Sequence, residues 1–477
     1  MTVRTVFKAG MIIAFQKGEH RLLRDGVVVV EDDRIVHVGP GFDGAADAVI
    51  DLPHHLLTPG LIDTHAHLTS GPFDRSYVED VGRPNFYFSG RPELLPALGA
   101  ALDVEAQRAA VDFSMVELIR SGTTTVMEIG WIGDYTADAA ERAGLRAYVA
   151  DGYGSARWRT LDGKRMTYAW KEDGGLEGFD AAVAFVERTE GRAGGRIRGY
   201  LSPMQAAMVT PELLRRTVAA AERLDVPVAL HAAEAVFEVQ EMIGREGMTP
   251  IEWLDHVGFL SERSILGHVV FTSGNSWIQY PGRDLDILAD SGASIAHCPW
   301  VFARRGLAME SFAAYLEAGI NMCLGSDTAP QSILQAMRFA CAVGKLTSRD
   351  ARKATALDAF NAATLNAARM LKRDDLGRLA AGAKADLLVW DLHGLSTAPC
   401  RDPIRTLVYA AEREDLRGVM VDGRWLMRDG VVLTADEAAA RVGLAVAAER
   451  VWSAVGPGDW ANRAIDALSP PSLRIFE

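Results

Sequence analysis

Two histidines one residue apart, His65 and His67, end an apolar segment that reads TPGLIDTHAH over residues 58–67. Side chains at positions i and i+2 of a strand point to the same face, so both imidazoles can reach one metal ion where the strand ends. A His-x-His pair also occurs on ordinary surfaces and does not establish a metal site alone. Its interpretation depends on the residues at the ends of later strands.

Later apolar segments also end in side chains that can bind a metal ion or transfer a proton. These side chains belong to His231, followed by Glu234, and to His268, His297 and Asp327. Several neutral imidazoles and one carboxylate suit a borderline divalent ion such as zinc, with a position left for water. A second carboxylate can take a proton from that water and pass it to a leaving nitrogen. The set predicts a metal-dependent hydrolytic site.

Each of these residues also has a structural interpretation. A histidine at the end of an apolar segment is, taken alone, more often a satisfied core residue. Asp327 could cap the helix that begins near Pro330, and Glu234 could be a solvated acid in a first helical turn. For Glu128 an ordinary buried carboxylate is favoured, and His297 fits pocket lining and core packing equally. The metal-site interpretation is favoured because the residues recur together at strand ends.

Strand-like segments alternate with helix-period segments from residue 56 onwards. The strand candidates are residues 56–63, 123–129, 146–150, 197–201, 227–231, 264–268, 293–297 and 321–325. The clearest helices are predicted at residues 104–121, 211–224, 284–291 and 310–318, with glycines 122, 144, 292 and 319 at helix ends. Eight such repeats predict an α/β fold with a (β/α)8 TIM barrel. The alternative, a doubly wound sheet, does not bring the ends of strands one, five, six and eight together.

Segments rich in β-forming residues flank these repeats on both sides. They include residues 11–15, 26–30 and 34–38 before the repeats, and residues 385–390, 418–421 and 425–427 after a helix predicted at residues 354–371. We expect residues 1–57 and 378–433 to form a small β-sandwich domain beside a barrel of residues 58–377. Residues 434–477 are expected to form a C-terminal helical tail.

Composition excludes several classes of protein. The 477 residues are 49% hydrophobic and carry a formal net charge of -13, which argues against nucleic acid as a partner because no basic surplus can replace counterions. No apolar stretch reaches the length of a membrane helix, and no signal sequence is recognisable at the N-terminus. The four cysteines include no CxxC pair. We expect a cytoplasmic protein that binds no membrane.

The motifs around these residues resemble the amidohydrolase superfamily. The residues that carry the resemblance are the 58–67 segment, the His-x-x-Glu of His231 and Glu234, and GRLAAGAKADL at residues 377–387. Within the superfamily, the chain is similar to the branch of cytosine deaminases and triazine chlorohydrolases. The similarity runs from about residue 26 to 432, and it implies the barrel fold and, for this fold family, a homodimer or higher homo-oligomer.

The resemblance also implies roles for individual residues. His65, His67, His231 and Asp327 would bind one divalent ion, with Zn2+ favoured over Fe2+ or Co2+. Glu234 would be the proton shuttle, His268 would polarise substrate or water, and Asp327 would also be catalytic. Superfamily members with two metals use a carboxylated lysine at strand four. Residues 200–205 of this chain read YLSPMQ, without lysine, and therefore favour a single metal.

The resemblance implies hydrolysis of a carbon–nitrogen bond in a small molecule. The first hypothesis is attack of water on an sp2 carbon of a nitrogen heterocycle, with release of ammonia, an amine or chloride. The second is hydrolysis of an open-chain amide, urea or carbamate on an aryl or apolar group, and the third is an inactive scaffold protein. We expect a substrate pocket lined by His297, Trp300, Phe302, Gln205 and Trp131, with further aromatic residues at 86–88, 153 and 158.

Overall fold

The computed structural model describes residues 3–86, 90–474 and 476 of the chain. The strands in these residues are β1 Arg4–Gln16, β2 Glu19–Glu31, β3 Arg34–Gly39, β4 Ala48–Pro59, β5 Leu61–Ala66, β6 Thr123–Gly130, β7 Arg146–Asp151, β8 Ala156–Thr160, β9 Met166–Trp170, β10 Ile197–Gly199, β11 Val228–Ala232, β12 Ser264–His268, β13 Ser294–His297, β14 Asn321–Leu324, β15 Leu387–Asp391, β16 Leu416–Val421, β17 Arg424–Arg428 and β18 Val431–Val432. The helices are α1 Arg91–Ala101, α2 Val104–Arg120, α3 Gly133–Ala143, α4 Leu176–Thr189, α5 Arg192–Gly195, α6 Pro211–Leu224, α7 Val236–Glu246, α8 Pro250–His256, α9 Asp284–Ser291, α10 Pro299–Ala303, α11 Phe312–Glu317, α12 Ile333–Ser348, α13 Ala356–Ala362, α14 Leu365–Met370, α15 Pro403–Tyr409, α16 Glu437–Ser453 and α17 Ile465–Leu468.

Strands from the two ends of the chain form one mixed sheet in the order β18-β17-β16-β15-β4-β1-β2-β3. β1 pairs antiparallel with β2 and parallel with β4, and β15 pairs antiparallel with β4. Their apolar side chains share a core that includes Phe7, Val28 and Leu387. The expected small β domain therefore uses both ends of the chain. Its strands belong to one sheet rather than two because the 13-residue β1 is hydrogen-bonded along both edges.

Two further sheets of four parallel strands contain the alternating β–α segments. Their orders are β10-β7-β6-β5 and β11-β12-β13-β14. The predicted strands all occur, but the one expected at residues 56–63 is divided at Gly60, with β4 in the eight-stranded sheet and β5 in a four-stranded one. The chain passes closely between the sheets there, because a Cβ on Gly60 would lie 2.1 Å from Oγ1 of Thr124.

The two four-stranded sheets meet along two seams. At one seam Ala66 bridges to Asp327, and at the other Gln205 bridges to His231. The amide of Asp327 donates to the carbonyl of His65 at 2.8 Å, and the amide of His231 donates to the carbonyl of Met204 at 2.8 Å. These seams bring the carboxyl ends of strands from both sheets to a common edge.

The helices pack against the outer faces of these sheets. Thr210 caps α6, and its hydroxyl accepts the amide of Leu213 at 3.2 Å. Gly144 and Gly292 end α3 and α9 with φ of 81° and 73°, a conformation that glycine adopts without strain. The helix predicted at residues 354–371 is two helices, α13 and α14, because Thr364 between them is not helical, with φ -136° and ψ -88°.

The C-terminal tail packs against the segment that follows β5. Leu444 and Val451 of α16 share an apolar cluster with Leu98 of α1 and Ala110 of α2. Glu93 of α1 also contacts the tail, because its carboxylate accepts hydrogen bonds from Trp460 and Arg463. Among the residues that the structure describes, no helix has both the length and the apolar character needed to cross a bilayer.

Candidate active site

Three histidines predicted as metal ligands converge at the common edge of the two four-stranded sheets. His65 lies in β5, His67 follows directly after it, and His231 lies in β11 of the other sheet. The ring nitrogens that face one another in this group all lie within 4.8 Å. Nε2 of His67 is 3.1 Å from Nε2 of His231. The three rings are therefore close enough to bind one ion.

The backbone fixes the orientation of two of these rings. Nδ1 of His67 lies 2.8 Å from the carbonyl oxygen of Ile129, and Nδ1 of His231 lies 2.6 Å from that of Met204. A carbonyl only accepts, so each Nδ1 carries the hydrogen and each Nε2 is left with its lone pair. Burial lowers the pKa of His67 to about 4 and that of His231 well below its ordinary value. Both rings are neutral at neutral pH, as metal binding requires.

Asp327 completes the set from the end of β14. Its Oδ1 lies 3.3 Å from Nε2 of His67 and 3.6 Å from Nε2 of His65. Burial opposes its ionisation, but the adjoining imidazole of His65 and the positive charge of Arg91 hold the pKa of Asp327 well below its ordinary value. The backbone of Asp327 is left-handed, with φ of 60°. Such strain is common where a fold aims a functional side chain.

The unpaired polar atoms of this group fit a metal ion. Nε2 of His65 and both carboxylate oxygens of Asp327 are buried and have no hydrogen-bond partner among the described residues. Buried polar atoms are normally paired, so a set of orphaned atoms facing one another requires a further partner. Three imidazoles and one ionised carboxylate are the donors that zinc accepts.

Glu234 lies next to this group, with its two carboxylate oxygens in different surroundings. Gln205 Nε2 donates to Oε1 at 2.5 Å, whereas Oε2 is buried without a hydrogen-bond partner and lies 3.6 Å from Nε2 of His268. Burial raises the pKa of Glu234, and the charge of Arg91 partly opposes this rise. Burial also lowers the pKa of His268 well below its ordinary value, so its ring is neutral. The arrangement suits proton transfer at Oε2 of Glu234.

Several side chains that hold these residues in place are themselves buried. Asp63 accepts the amide of His65 at 3.2 Å and the hydroxyl of Ser326 at 2.5 Å, which joins the ends of β5 and β14. Glu238 accepts the amide of Glu234 at 2.9 Å. Glu128, for which an ordinary buried carboxylate was favoured, accepts the amide of the residue after His67 at 2.5 Å, and burial raises its pKa to about 8. These carboxylates bind backbone amides of the site.

Arg91 reaches the site from α1. Its Nη1 lies 3.7 Å from Oδ2 of Asp327, and its Nη2 lies 4.0 Å from Oε2 of Glu234. The strand-end pattern of the sequence does not include Arg91, because this residue begins a helix far from any strand end. Cys298 is also close, since its Sγ lies within 4.8 Å of ring nitrogens of His65 and His268.

A cavity of about 730 Å³ adjoins these side chains. Its lining includes His67, His231, Glu234, Gln205, Trp131 and Arg305. Tyr153 and Trp158, two of the further aromatic residues expected in the pocket, also line it. The structure thus places Gln205 and Trp131 at the cavity, as expected for substrate contacts.

The other residues expected to contact substrate lie elsewhere. His297 stacks on Phe312 with ring centroids 5.7 Å apart. Trp300 packs on Phe339 and its Nε1 donates to a backbone carbonyl at 3.3 Å. Phe302 contacts His268, with ring centroids 4.8 Å apart. None of the three is among the described residues that line the cavity. In the loop after β5, Phe86 is buried, and residues 87 and 88 lie outside the described residues.

Relatives in sequence carry deaminase names. A 5'-deoxyadenosine deaminase of Methanothermobacter thermautotrophicus is 32% identical over 420 residues, covering 87% of this chain and 92% of that protein. A 5-methylthioadenosine/S-adenosylhomocysteine deaminase of Halobacterium salinarum is 32% identical over 421 residues, covering 87% and 92%. Each alignment covers most of this chain and most of the relative.

Solved structures share the fold. An adenosine deaminase from Xanthomonas campestris with bound zinc superposes with a TM-score of 0.81 at 24% identity, covering 94% of this chain and 98% of that one. An atrazine chlorohydrolase from Arthrobacter aurescens complexed with zinc gives a TM-score of 0.78 at 22% identity, covering 93% and 100%. The model of the amidohydrolase family matches residues 56–426. The chain therefore belongs to the amidohydrolase family, as a metal-dependent hydrolase of carbon–nitrogen bonds other than peptide bonds.

Proposed function

We propose that this protein is a zinc-dependent deaminase that replaces the amino group of a nitrogen heterocycle by oxygen. The observation that carries the proposal is the position of Glu234. Its Oε2 is buried, has no hydrogen-bond partner and lies beside His268 and the group of three histidines and Asp327. The names of the relatives favour an amino-substituted purine as the class of substrate.

The residues that would hold the ion are His65, His67, His231 and Asp327. When bound, a divalent ion supplies a water molecule whose pKa is lowered towards neutrality. Oε2 of Glu234 takes a proton from the attacking water and delivers it to the leaving nitrogen. Gln205 holds the other oxygen of Glu234 at 2.5 Å, so the carboxylate cannot rotate away during the transfer. The oxygen of water bonds to the ring carbon, the carbon–nitrogen bond breaks and ammonia leaves.

His268 contributes a neutral hydrogen-bond donor on the same side as Glu234. Both ring nitrogens of His268 are buried without a hydrogen-bond partner in the described part of the chain. The N–H of this ring would donate to the oxygen on which negative charge develops as the ring carbon becomes tetrahedral. The ring is held by contact with Phe302, which gives this aromatic residue a role behind the catalytic group.

The same proposal includes the domain organisation. We propose that the two four-stranded sheets are the halves of one (β/α)8 barrel over residues 58–377, with residues 1–57 and 378–433 as the small β domain and residues 434–477 as the tail. The bridges at both seams and the shared fold with the zinc-containing structures support this arrangement. A homodimer is a further expectation that oligomer measurements in solution would test.

Ammonia release from a substrate panel tests the proposed activity. The zinc-loaded enzyme would be assayed with adenosine, 5'-deoxyadenosine and 5'-methylthioadenosine, and with aminopyrimidines, aminotriazines, anilides and phenylureas. We expect ammonia from at least one amino heterocycle and no turnover of open-chain compounds. Turnover of anilides or phenylureas, without reaction of any amino heterocycle, would overturn the proposal.

A further inference from the structure

Two arginines, Arg304 and Arg305, follow α10 and differ in how far their donors are paired. Arg304 Nη1 donates to Oε1 of Glu79 at 2.5 Å, and its Nη2 donates to the hydroxyl of Thr328 at 3.0 Å. The charge of Arg304 is therefore matched by a carboxylate. Arg304 is not among the described residues that line the cavity, whereas Arg305 is.

Arg305 is buried with most of its donors unused. Its side chain is 1% exposed, and its hydrogen bond within the described part of the chain is a long one, from Nη2 to Oδ2 of Asp74 at 3.4 Å. Nε and Nη1 of Arg305 are buried and have no hydrogen-bond partner among the described residues. The same carboxylate oxygen of Asp74 lies 3.9 Å from Arg304. The carboxylate of Asp74 thus lies near both arginines. Among the described residues, Arg305 makes fewer hydrogen bonds than Arg304.

The guanidinium of Arg91 adds a further positive charge beside Arg305. Burial, and then the neighbouring charge of Arg91, lowers the pKa of Arg305 to about 10. Arg305 still carries its proton at neutral pH. A buried cation beside another cation is costly unless an anion or good acceptors complete its pairing. The cavity is the side from which such a partner can arrive, since Arg305 and Arg91 both line it.

Arg91, which lines the same cavity as Arg305, lies close to the catalytic group. Arg91 lies 3.7 Å from Asp327 and 4.0 Å from Glu234, and the charge of Arg305 acts on the pKa of Glu234. An anion bound here would sit beside the ring that reacts rather than at the outer mouth of the cavity.

We propose that Arg305, with Arg91 beside it, binds a carboxylate that the substrate carries on or next to its reacting ring. This rests on the proposed function, because it assigns a substrate class to the same cavity. A carboxylate has only acceptor oxygens and a single negative charge, which matches the donors left on Arg305. A doubly charged group would also face Asp74 and is disfavoured. The structural alternative is that Arg305 only holds α10 in place through Asp74.

Binding of matched ligand pairs to the zinc-loaded protein tests this proposal without turnover. Each pair consists of a ring carboxylate and its uncharged carboxamide, for example orotate and orotamide, with pyrimidine, purine, triazine and phenyl rings in the panel. Titration calorimetry would measure the affinities. We expect at least one carboxylate to bind ten-fold or more tightly than its carboxamide, since charge-assisted hydrogen bonds are about twice as strong as neutral ones. A panel without any such preference would overturn the proposal.

Variants separate ligand binding from a structural role. Arg305→Gln should lower the carboxylate affinity by ten-fold or more and leave the carboxamide affinity unchanged. Arg304→Gln removes the same charge from the neighbouring residue, whose Nη1 and Nη2 already donate to Glu79 and Thr328, and should keep the preference for carboxylate. An equal loss in both variants would overturn the proposal. Arg305→Lys, which keeps the charge, serves if Arg305→Gln does not fold, and it should retain part of the preference.

The proposed activity and this inference fail differently. Preference for carboxylates without ammonia release from any heterocycle would support the Arg305 site and contradict the deaminase function. Ammonia release combined with no preference in any pair would support the deaminase function and contradict the Arg305 site.

Discussion

Nε2 of His67 and Nε2 of His231 face each other at 3.1 Å, while Nδ1 of each ring donates to a backbone carbonyl. Because both hydrogens are on the Nδ1 atoms, two lone pairs point at one another. Two lone pairs at this distance repel unless a cation lies between them. The relationship between these rings is therefore the strongest indication in the fold that the site binds a metal ion.

Removal of the metal should destabilise the protein. An ion present at a thousand times its Kd stabilises the folded state by about 4 kcal/mol, so dialysis against a chelator should lower Tm by several degrees, and zinc should restore it. Asp327→Ala should lose bound zinc and activity together, as measured by elemental analysis and ammonia release. Asp134→Ala, which changes an exposed aspartate, is the control and should keep both. Unchanged Tm after complete metal removal would contradict the assignment.

Glu234→Gln should separate metal binding from turnover. The amide cannot accept and return a proton, so ammonia release should fall by about 10²- to 10⁴-fold, the usual contribution of a positioned proton-transfer group. Zinc content should stay stoichiometric, because Glu234 is not one of the four proposed ligands. Glu241→Gln, which changes a more exposed glutamate on α7, is the matched control. Near-normal rates in Glu234→Gln would show that another group transfers the proton.

Glu93 should connect the C-terminal tail to activity. Its buried carboxylate accepts Nε1 of Trp460 at 2.7 Å and Nη2 of Arg463 at 2.6 Å through Oε1, and Nε of Arg83 at 3.0 Å through Oε2. Arg91 stands two residues earlier in α1. Glu93→Gln should destabilise the protein by about 1 to 2 kcal/mol, because it removes a buried anion that pairs with two partly exposed arginines.

The same substitution should also lower kcat/KM, since α1 carries Arg91 into the site. Urea unfolding and steady-state kinetics would measure the two effects. Glu105→Gln in α2, where the exposed pair with Arg108 contributes little, should change stability by less than about 0.5 kcal/mol. Equal effects in the two variants would show that the tail does not depend on Glu93.

His20 should make stability depend on pH between about 4 and 6.5. Burial, and then the charge of Arg378, lowers the pKa of His20 to about 4 in the folded protein. The unfolded chain binds the proton at a pKa near 6.5, so it binds more protons than the folded protein in this window. Stability therefore falls as the pH drops, by about 2 kcal/mol at pH 5 relative to pH 8.

His20→Gln should remove this part of the pH dependence. The difference in unfolding free energy between the variant and the unmodified protein should shift by about 2 kcal/mol in favour of the variant from pH 8 to pH 5. Urea unfolding at both pH values would measure it. A constant difference across the two pH values would show that His20 does not titrate differently in the two states.

Local patterns predicted most of the elements but not the paths between them. The strands of the β–α repeats and helices such as α6 and α9 follow from the apolar period and from glycines at helix ends. The division at Gly60 could not be read from the sequence, because apolar residues continue across it and the change of sheets appears only in the strand pairing. The single sheet of the small β domain depends on pairing between residues hundreds of positions apart, which a local pattern does not contain.

The residues of the site likewise include some that the sequence pattern predicts and others that only the three-dimensional packing brings together. His65, His67, His231, Glu234, His268 and Asp327 could be selected because they stand at strand ends and match a known motif. Arg91 begins α1 and Arg305 follows a short helix, so their burial beside the site comes only from packing. The aromatic residues after β13 were expected in the pocket by type. Trp300 instead packs on Phe339 and is not among the described residues that line the cavity.

Each four-stranded sheet supplies half of the proposed ligands: His65 and His67 come from one, and His231 and Asp327 from the other. Asp327 and His231 are also the bridge residues of the two opposite seams. A bound ion would consequently hold two polypeptide fragments together after the chain is cut between them, for instance at the exposed turn of Asp225 between α6 and β11. Such a nicked protein should stay associated through the shared eight-stranded sheet, but it should unfold more readily when a chelator withdraws the zinc.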